Sequence, residues 1–597
     1  MEQKELLVPY LKGDANATIA YSRMCRSLTT FKEADESMKA NLMQQLIEMG
    51  EFLGENTTDL VKQIVNIPWW SIPKALIPGY QRLLLDTALH FSPHIELVFQ
   101  ACVYNFKPAI GKEYTDQELD EQFKLAHSLI VQILRCVPMS VNLLYKIITK
   151  FPHHSVDTKL YVWYFRNVVL VGECAPQLRF KLWEALIQNL LVLDAYLLHK
   201  NNDKEENGEE LNIFKLDEET NEEKGQTKEP ASKQQETLDA CMLVVYQYIT
   251  RKMGHVVEDA PWLRLGEDVD VLQLLAEPFE LHLLMSGDAS IVPFIWLYAC
   301  SLNPRYPSQF FETLWHRITL PQRAQSDAKR SQNGASLLAA FLARASYVDT
   351  DEAFDWLRRI CDWLLSYIDS QTGVSSASPA PGALRHGTFY ALCQAFFIIF
   401  CFRYKRIVAN AQKWDQVRSW NLSRIVNSYL DPLKFISRPV AVCFATIARS
   451  LQLVYCSHQL AAVSKGDSAQ PFESSFPLDS YSLPTTSSLI TPLMRHFSPL
   501  AEDLPILKQE FAQEKAKKKS LVASDLEDFG ESSLAFLDEA EEPMILGSPM
   551  NISAFPISIE TSGRLPHQFS SYYSTSPGLK VFDFGQTMNM NKLSGMR

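Results

Sequence analysis

Residues Leu384–Arg406 read LRHGTFYALCQAFFIIFCFRYKR. Phe389, Cys393, Phe396, Phe400 and Tyr404 recur at three- and four-residue steps, the spacing of one face of an α-helix. Leu392, Ala395, Ile398, Ile399 and Phe402 make the other faces apolar too, and a helix hydrophobic all round is buried on every side. A bilayer span needs about 20 apolar residues. The uncharged run here stops at Phe402, and Arg385, Arg403, Lys405 and Arg406 bracket it. The stretch therefore predicts the central helix of a large all-α assembly, not a membrane span. Its basic ends should reach solvent, and Gln394 in its interior should hydrogen-bond a neighbouring helix.

The same periodicity extends in both directions. From about Met38 to Lys200 one apolar helical face follows another, each closed by proline or a short polar joint, as at Pro68, Phe91-Ser92-Pro93, Pro138 and Phe151-Pro152. Short joints make neighbouring helices antiparallel. The pattern resumes at Leu238 and runs through Val271–Leu284, Ile291–Leu302, Phe310–Ile318, Ala335–Tyr347 and Phe354–Ile368 to the central stretch. Trp414–Leu430 and Pro439–Gln459 follow. No strand-like alternation bounded by Asn-Gly or Asp-Gly turns is present. The expected fold is all-α, a HEAT-like helical repeat solenoid in which each helix pair buries its face against the next. The period is too irregular to distinguish this, by spacing alone, from a non-repetitive array of helices. Arg344 lies close to an apolar face, so it should be held by a structural ion pair.

Four segments follow from composition. Residues 1–200 and 235–520 are N- and C-terminal helical repeats. Residues 201–234 form an acidic insertion, in which Asp203, Glu205, Glu206, Glu209, Glu210, Asp217, Glu218, Glu219, Glu222, Glu223 and Glu229 face Lys204, Lys215, Lys224 and Lys228, with Lys233 at the margin. Such a segment has too little apolar surface to offset its ordering entropy and should be disordered. Residues 521–597, rich in serine, proline and acids, should be a mostly disordered tail. There, Ser548-Pro549 and Ser576-Pro577 suit proline-directed phosphorylation, and Val581–Phe584 suits a short docking peptide. Lys515, Lys517, Lys518 and Lys519 form a small basic cluster before it, a localisation signal, a phosphate contact or a solvated helix end.

A chain of 597 residues, 47% hydrophobic with a formal charge of −12, can build a large core and is not made to coat nucleic acid non-specifically. The eleven cysteines include no C-x-x-C pair. Cys102, Cys136, Cys174, Cys300, Cys361, Cys393, Cys401, Cys443 and Cys456 sit in apolar runs as buried, reduced hydrophobes would, which suggests a reducing, intracellular compartment. The N-terminus MEQKELLVPYLKGD lacks the apolar core of a signal peptide. Nucleotide-binding, nucleophile-elbow and H-E-x-x-H motifs are absent, and the adjacent pair His153-His154 is too small a donor set for zinc. The residues thus lead to a non-enzymatic interaction scaffold without catalytic, metal or cofactor residues.

Four strings carry a resemblance: AFLARASYV (Ala340–Val348), HGTFYALCQAFFIIFCFRYK (His386–Lys405), RIVNSYLDPLKF (Arg424–Phe435) and FPLDSY (Phe476–Tyr481). In this order they resemble the RNA polymerase I-specific transcription initiation factor family. IPWW (Ile67–Trp70), Val137-Pro138 and KFP (Lys150–Pro152) extend the likeness more loosely toward the N-terminus. FPLDSY departs from the more usual FPFDP at Leu478 and Ser480, and the tail after about Ser520 has no clear counterpart. The resemblance implies a HEAT-repeat fold with an acidic insertion and no catalysis. It implies a factor, regulated by phosphorylation, that bridges RNA polymerase I, near its stalk, to the core promoter selectivity factor at ribosomal RNA genes in the nucleus and nucleolus. It also implies a serine-bearing polymerase-docking surface, with Ser92 and Ser140 as the candidates; phosphate there should oppose docking on an acidic partner. The free protein could be a homodimer. Rival readings are another helical scaffold, such as a nuclear transport receptor, and direct DNA binding through Arg403, Lys405, Arg406 or the Lys515–Lys519 cluster, expected to be weak at most.

Overall fold

The computed structural model describes residues 3–108, 115–202, 232–257, 260–287, 289–321, 324–371, 386–456 and 476–513, all within one compact unit, Met1–Lys519. The acidic segment 203–231, residues 372–385, the lysine cluster and the tail with Ser548, Ser576 and Val581–Phe584 lie outside the described residues. Among those described no β-strand forms, and a single isolated bridge pairs Ala345 with Met494.

Among the described residues eleven helices build the first half: α1 Gln3–Leu11, α2 Ala15–Thr29, α3 Glu36–Glu48, α4 Thr58–Val65, α5 Ile77–His90, α6 His94–Tyr104, α7 Asp116–Cys136, α8 Val141–Ile148, α9 Thr158–Cys174, α10 Arg179–Asn202 and α11 Lys233–Lys252. Each odd helix packs on the next odd one from α1 to α11, and α2, α4, α6 and α8 stack likewise. This is the two-layer arrangement of a helical solenoid. The reason is local. Joints of a few residues force antiparallel neighbours, and each amphipathic helix then buries its stripe against the pair before and the pair after it. The α1–α2 joint is short enough to need a left-handed backbone, supplied by Gly13 at φ +84°.

A hydrogen-bond position exposes the repeat length that the hydrophobic pattern obscures. The Tyr80 hydroxyl on α5 donates to Ile64 O at the end of α4 (2.7 Å), and the Tyr164 hydroxyl on α9 donates to Ile148 O at the end of α8 (2.8 Å), each 16 residues upstream. Between them, Gln122 Nε2 on α7 donates to Asn105 O just beyond α6, 17 residues upstream. Positions 80, 122 and 164 differ by 42 each time, within the roughly 40–47 residues of HEAT-type repeats. Each bond satisfies a carbonyl that a helix end leaves without an intrahelical partner.

In the second half, helix Gly387–Val408 is the core. It packs against Gln325–Arg344, Thr350–Gln371, Ala411–Ser419, Pro432–Phe435 and Arg438–Ser450. Every residue from Gly387 to Tyr404 is buried, and Gln394 Oε1 accepts the amide of Ser437, which caps the Arg438–Ser450 helix (2.8 Å). At 22 residues the helix is long and apolar enough to cross a bilayer, so length does not exclude a span. What excludes it is that protein covers its entire apolar window.

Three expectations need correction. Val271–Leu284 is not one helix but short pieces, Val271–Leu274, Ala276–Leu281 and the turn Leu283–Met285, with Pro278 among them. Trp414–Leu430 breaks at Asn421, whose φ of 52° is left-handed, and Asp431 repeats this at 46°; Asn and Asp adopt this conformation more readily than other residues with a side-chain carbon. Cys136 and Cys174, taken as buried, are exposed because each ends its helix at a joint.

The segment around FPLDSY acts as a clasp. Arg344 Nη1 donates to the backbone oxygen of Asp479 (2.6 Å) and meets its carboxylate at 3.3 Å, the ion pair expected for this buried arginine. Tyr481 bonds the hydroxyls of Tyr246 (3.2 Å) and Thr486 (2.7 Å). Asp239 on α11, 2% exposed, accepts the amides of Thr485 and Thr486 and the Thr486 hydroxyl at 2.7, 3.1 and 2.6 Å. Leu478 is fully buried in a left-handed conformation, φ 65°, and the contacts on either side hold it there.

Candidate functional site

Alternation of up and down helices gives the solenoid two edges. Joints that follow odd helices line one edge, and joints that follow even helices line the other. Ser92 and Ser140, the predicted docking serines, both fall on the first edge, after α5 and α7. Their environments differ. Ser92 is exposed in the joint Phe91-Ser92-Pro93. The next side chain but one anchors that joint from inside: His94 is fully buried, lies 4.9 Å from the Phe91 ring and meets Thr58 Oγ1 at 3.2 Å through Nε2. Burial holds the His94 imidazole below its usual pKa.

Ser140 ends a one-turn 3-10 helix, Pro138–Ser140, directly before α8. It is 6% exposed, and its Oγ donates to Val137 O at 2.6 Å. Phosphate cannot be added to that hydroxyl without opening the turn. Its neighbours Pro138 and Met139 are exposed instead, Met139 at 90%.

The opposite edge carries ring contacts instead. Trp70 stacks on Tyr104 with centroids 6.5 Å apart, while His153 meets His154 at 3.9 Å and His154 meets Tyr196 at 4.5 Å with tilted rings. His153 Nδ1 is 2.8 Å from Ser155 Oγ. Among the described residues no cluster of His, Cys, Asp and Glu is placed to hold a metal ion.

Arg403 is not a solvated helix end. It is 1% exposed, and its guanidinium donates to Leu342 O (2.8 Å), Val348 O (3.1 Å) and Ala345 O (3.4 Å), the carbonyls at and beyond the end of helix Gln325–Arg344. Burial, with the nearby charges of Arg495 and Arg406, lowers its pKa to about 9. The helix C-terminus supplies the partial negative charge that offsets this cation. Arg403 is therefore unavailable to DNA, while Lys405 and Arg406 remain exposed.

One cluster left no trace in the sequence pattern. Glu173 at the end of α9 is buried, with Lys252 Nζ 2.8 Å from Oε2, Arg179 Nε 3.4 Å from Oε1, the Tyr248 hydroxyl donating to Oε1 (2.8 Å) and the Gly266 amide donating to Oε2 (2.8 Å). It joins helices on both sides of the acidic segment. Gly266 is required by close approach: a Cβ there would stand 2.5 Å from Glu173 O. Nothing in the spacing of Glu173 and Lys252, separated by that segment, signals the contact.

Comparison with known proteins gives concordant results. The family described as RNA polymerase I specific transcription initiation factor RRN3 matches residues 11–502. A Caenorhabditis elegans protein, RNA polymerase I-specific transcription initiation factor tif-1A, is 33% identical, the match covering 97% of this chain and 94% of that protein. The mouse protein RNA polymerase I-specific transcription initiation factor RRN3 is 25% identical over 88% of this chain and 84% of its own. The crystal structure of RNA Polymerase I Transcription Initiation Factor Rrn3 superposes with a TM-score of 0.63 at 19% identity, covering 83% of this chain and 97% of that one, a likeness of fold.

Proposed function

Because the chain belongs to the RNA polymerase I-specific transcription initiation factor family, we propose that it binds RNA polymerase I, near the stalk, through the solenoid edge that carries Ser92. In this reading a second surface meets the core promoter selectivity factor, so the protein bridges polymerase to the promoter of ribosomal RNA genes in the nucleolus. The observation that carries the reading is the family match over residues 11–502. The continuous stack of α1–α11, locked at Glu173, supports it physically, because a bridging factor must transmit position between two partners without bending at its middle.

Phosphorylation enters at Ser92. A phosphate adds up to two negative charges to an exposed joint and would oppose an acidic partner. Ser140 is ill placed for this role, since its hydroxyl is engaged inside the turn. The test is size-exclusion chromatography of the purified protein with RNA polymerase I and, in parallel, RNA polymerase II. Co-elution with polymerase I alone supports the reading. Absence of a complex with polymerase I, in both phosphorylated and dephosphorylated protein, overturns it.

A further inference from the structure

Four successive joints along the Ser92 edge, those after α5, α7, α9 and α11, each pair one exposed apolar side chain with one basic side chain. Leu89, 42% exposed, adjoins His90 at the end of α5. Met139, 90% exposed, follows Arg135 at the end of α7. Phe180, 36% exposed, adjoins Lys181 at the start of α10, and Val256, 87% exposed, follows Arg251 at the end of α11. A single exposed apolar residue needs no explanation. Recurrence at four successive joints, on one edge and with a basic companion each time, does.

Among the described residues no carboxylate lies within ion-pair distance of Arg135, Lys181 or Arg251. Of the carboxylates close by, Asp86 is engaged with Arg82 (3.8 Å), Glu184 with His282 (3.1 Å), and Glu96 accepts from Gln100 Nε2 (3.3 Å). Glu258 and Asp259 follow Val256 in the sequence, and Glu267 and Asp268 stand exposed further on, so the basic run ends there.

The spacing also selects a partner. Packed helices lie about 8–10 Å apart, so successive odd-helix joints repeat at that distance. Seven residues of an α-helix, about two turns, rise about 10.5 Å. A helix laid along the edge would bring every seventh residue over the next joint. We infer that this edge receives an acidic amphipathic helix of RNA polymerase I, with apolar residues at heptad spacing over Leu89, Met139, Phe180 and Val256 and carboxylates against the basic companions. This rests on the polymerase-docking reading above and gives it a mechanism of control: Ser92 lies at the first joint of the row, so its phosphate would repel the same carboxylates.

The experiment measures affinity of the full-length protein for purified RNA polymerase I by biolayer interferometry at low and physiological salt. Met139→Glu/Phe180→Glu and the charge variant Arg135→Glu/Lys181→Glu should each bind about tenfold more weakly or worse, as loss of central contacts does. Wild-type affinity should fall with salt. Tyr104→Glu/Tyr196→Glu, on the opposite edge, should bind within about twofold of wild type; as a double surface change it also shows that the introduced charge alone is harmless. Met139→Glu by itself, at a residue almost wholly in solvent, separates docking from folding. If wild type binds and the row variants bind as well as it does, the inference is overturned and the docking reading survives. Loss in the apolar variants without loss in the charge variant overturns the acidic character of the partner. If wild type does not bind at all, the docking reading itself falls.

Discussion

Replacing Glu173 by glutamine should cost more stability than any other single isosteric change in the first half. The carboxylate faces two cations, Lys252 and Arg179, whose side chains are 1% and 4% exposed, and also accepts a phenol and a backbone amide. Glutamine keeps the shape but leaves both cations in a site from which water is excluded. Removing one member of a buried ion pair costs about 3–5 kcal/mol, because the surviving charge is uncompensated. The loss should therefore lie in that range. Urea denaturation followed by tryptophan fluorescence would read it, since the Trp183 ring lies 4.6 Å from Tyr248, which itself bonds Glu173. Because the cost arises from stranded charge, Glu173→Gln/Lys252→Met should recover a substantial part of it. A single-variant loss below about 1 kcal/mol, or a double variant destabilised by the sum of the singles, would refute the reasoning.

Four further outcomes are expected. Ser92→Asp should leave stability within about 0.5 kcal/mol and weaken polymerase binding. Ser140→Asp, which removes a buried hydroxyl bond and faces a carbonyl with a carboxylate, should cost about 1–3 kcal/mol, seen as faster hydrogen exchange in α8; wild-type exchange there would place Ser140 back among the accessible serines. His127, 6% exposed on α7, has its pKa lowered to about 4 by burial. The unfolded chain, titrating near 6.5, binds more protons between those values, so stability present above about pH 6.5 is lost as pH falls toward 4, by roughly 3 kcal/mol in all. His127→Leu should flatten that acid limb in pH-dependent denaturation, and an unchanged limb would assign it to other groups. Gly266→Ala must displace the Glu173 backbone, should cost about 1–3 kcal/mol, and should raise exchange at the end of α9; thermal melting at the wild-type temperature would show that the loop yields freely.

The legible part of this fold was local. Periodicity around Phe389–Tyr404 announced a helix covered on every side, and Gln394 and Arg344 took the structural partners expected of polar groups near an apolar face. The 42-residue period was hidden because its conserved element is a bond, not a residue type: Tyr80, Gln122 and Tyr164 do the same thing with two chemistries. Arg403 was misjudged for a related reason. Sequence shows that an arginine lies near a helix end, but not that the carbonyls of another helix terminate there. Ser92 and Ser140 look alike as proline-flanked joint residues. Only the depth of the turn separates them. Burial of Glu173 with Lys252 depends on a contact across the acidic segment and has no local signature.

The clasp has a consequence for the order in which the protein is made. Asp239 and its partner Thr486 are 247 residues apart, and ribosomes extend chains at about 5–20 residues per second, so α11 waits roughly 12 to 50 s for the groups that will cover its carboxylate. The early repeats need no such wait, since each stacks on a neighbour already synthesised. During that interval the nascent chain is a nearly finished stack with an open, charged wound in its middle. That is the species on which a chaperone would act, and a stop codon before residue 476 would leave it permanently in that state.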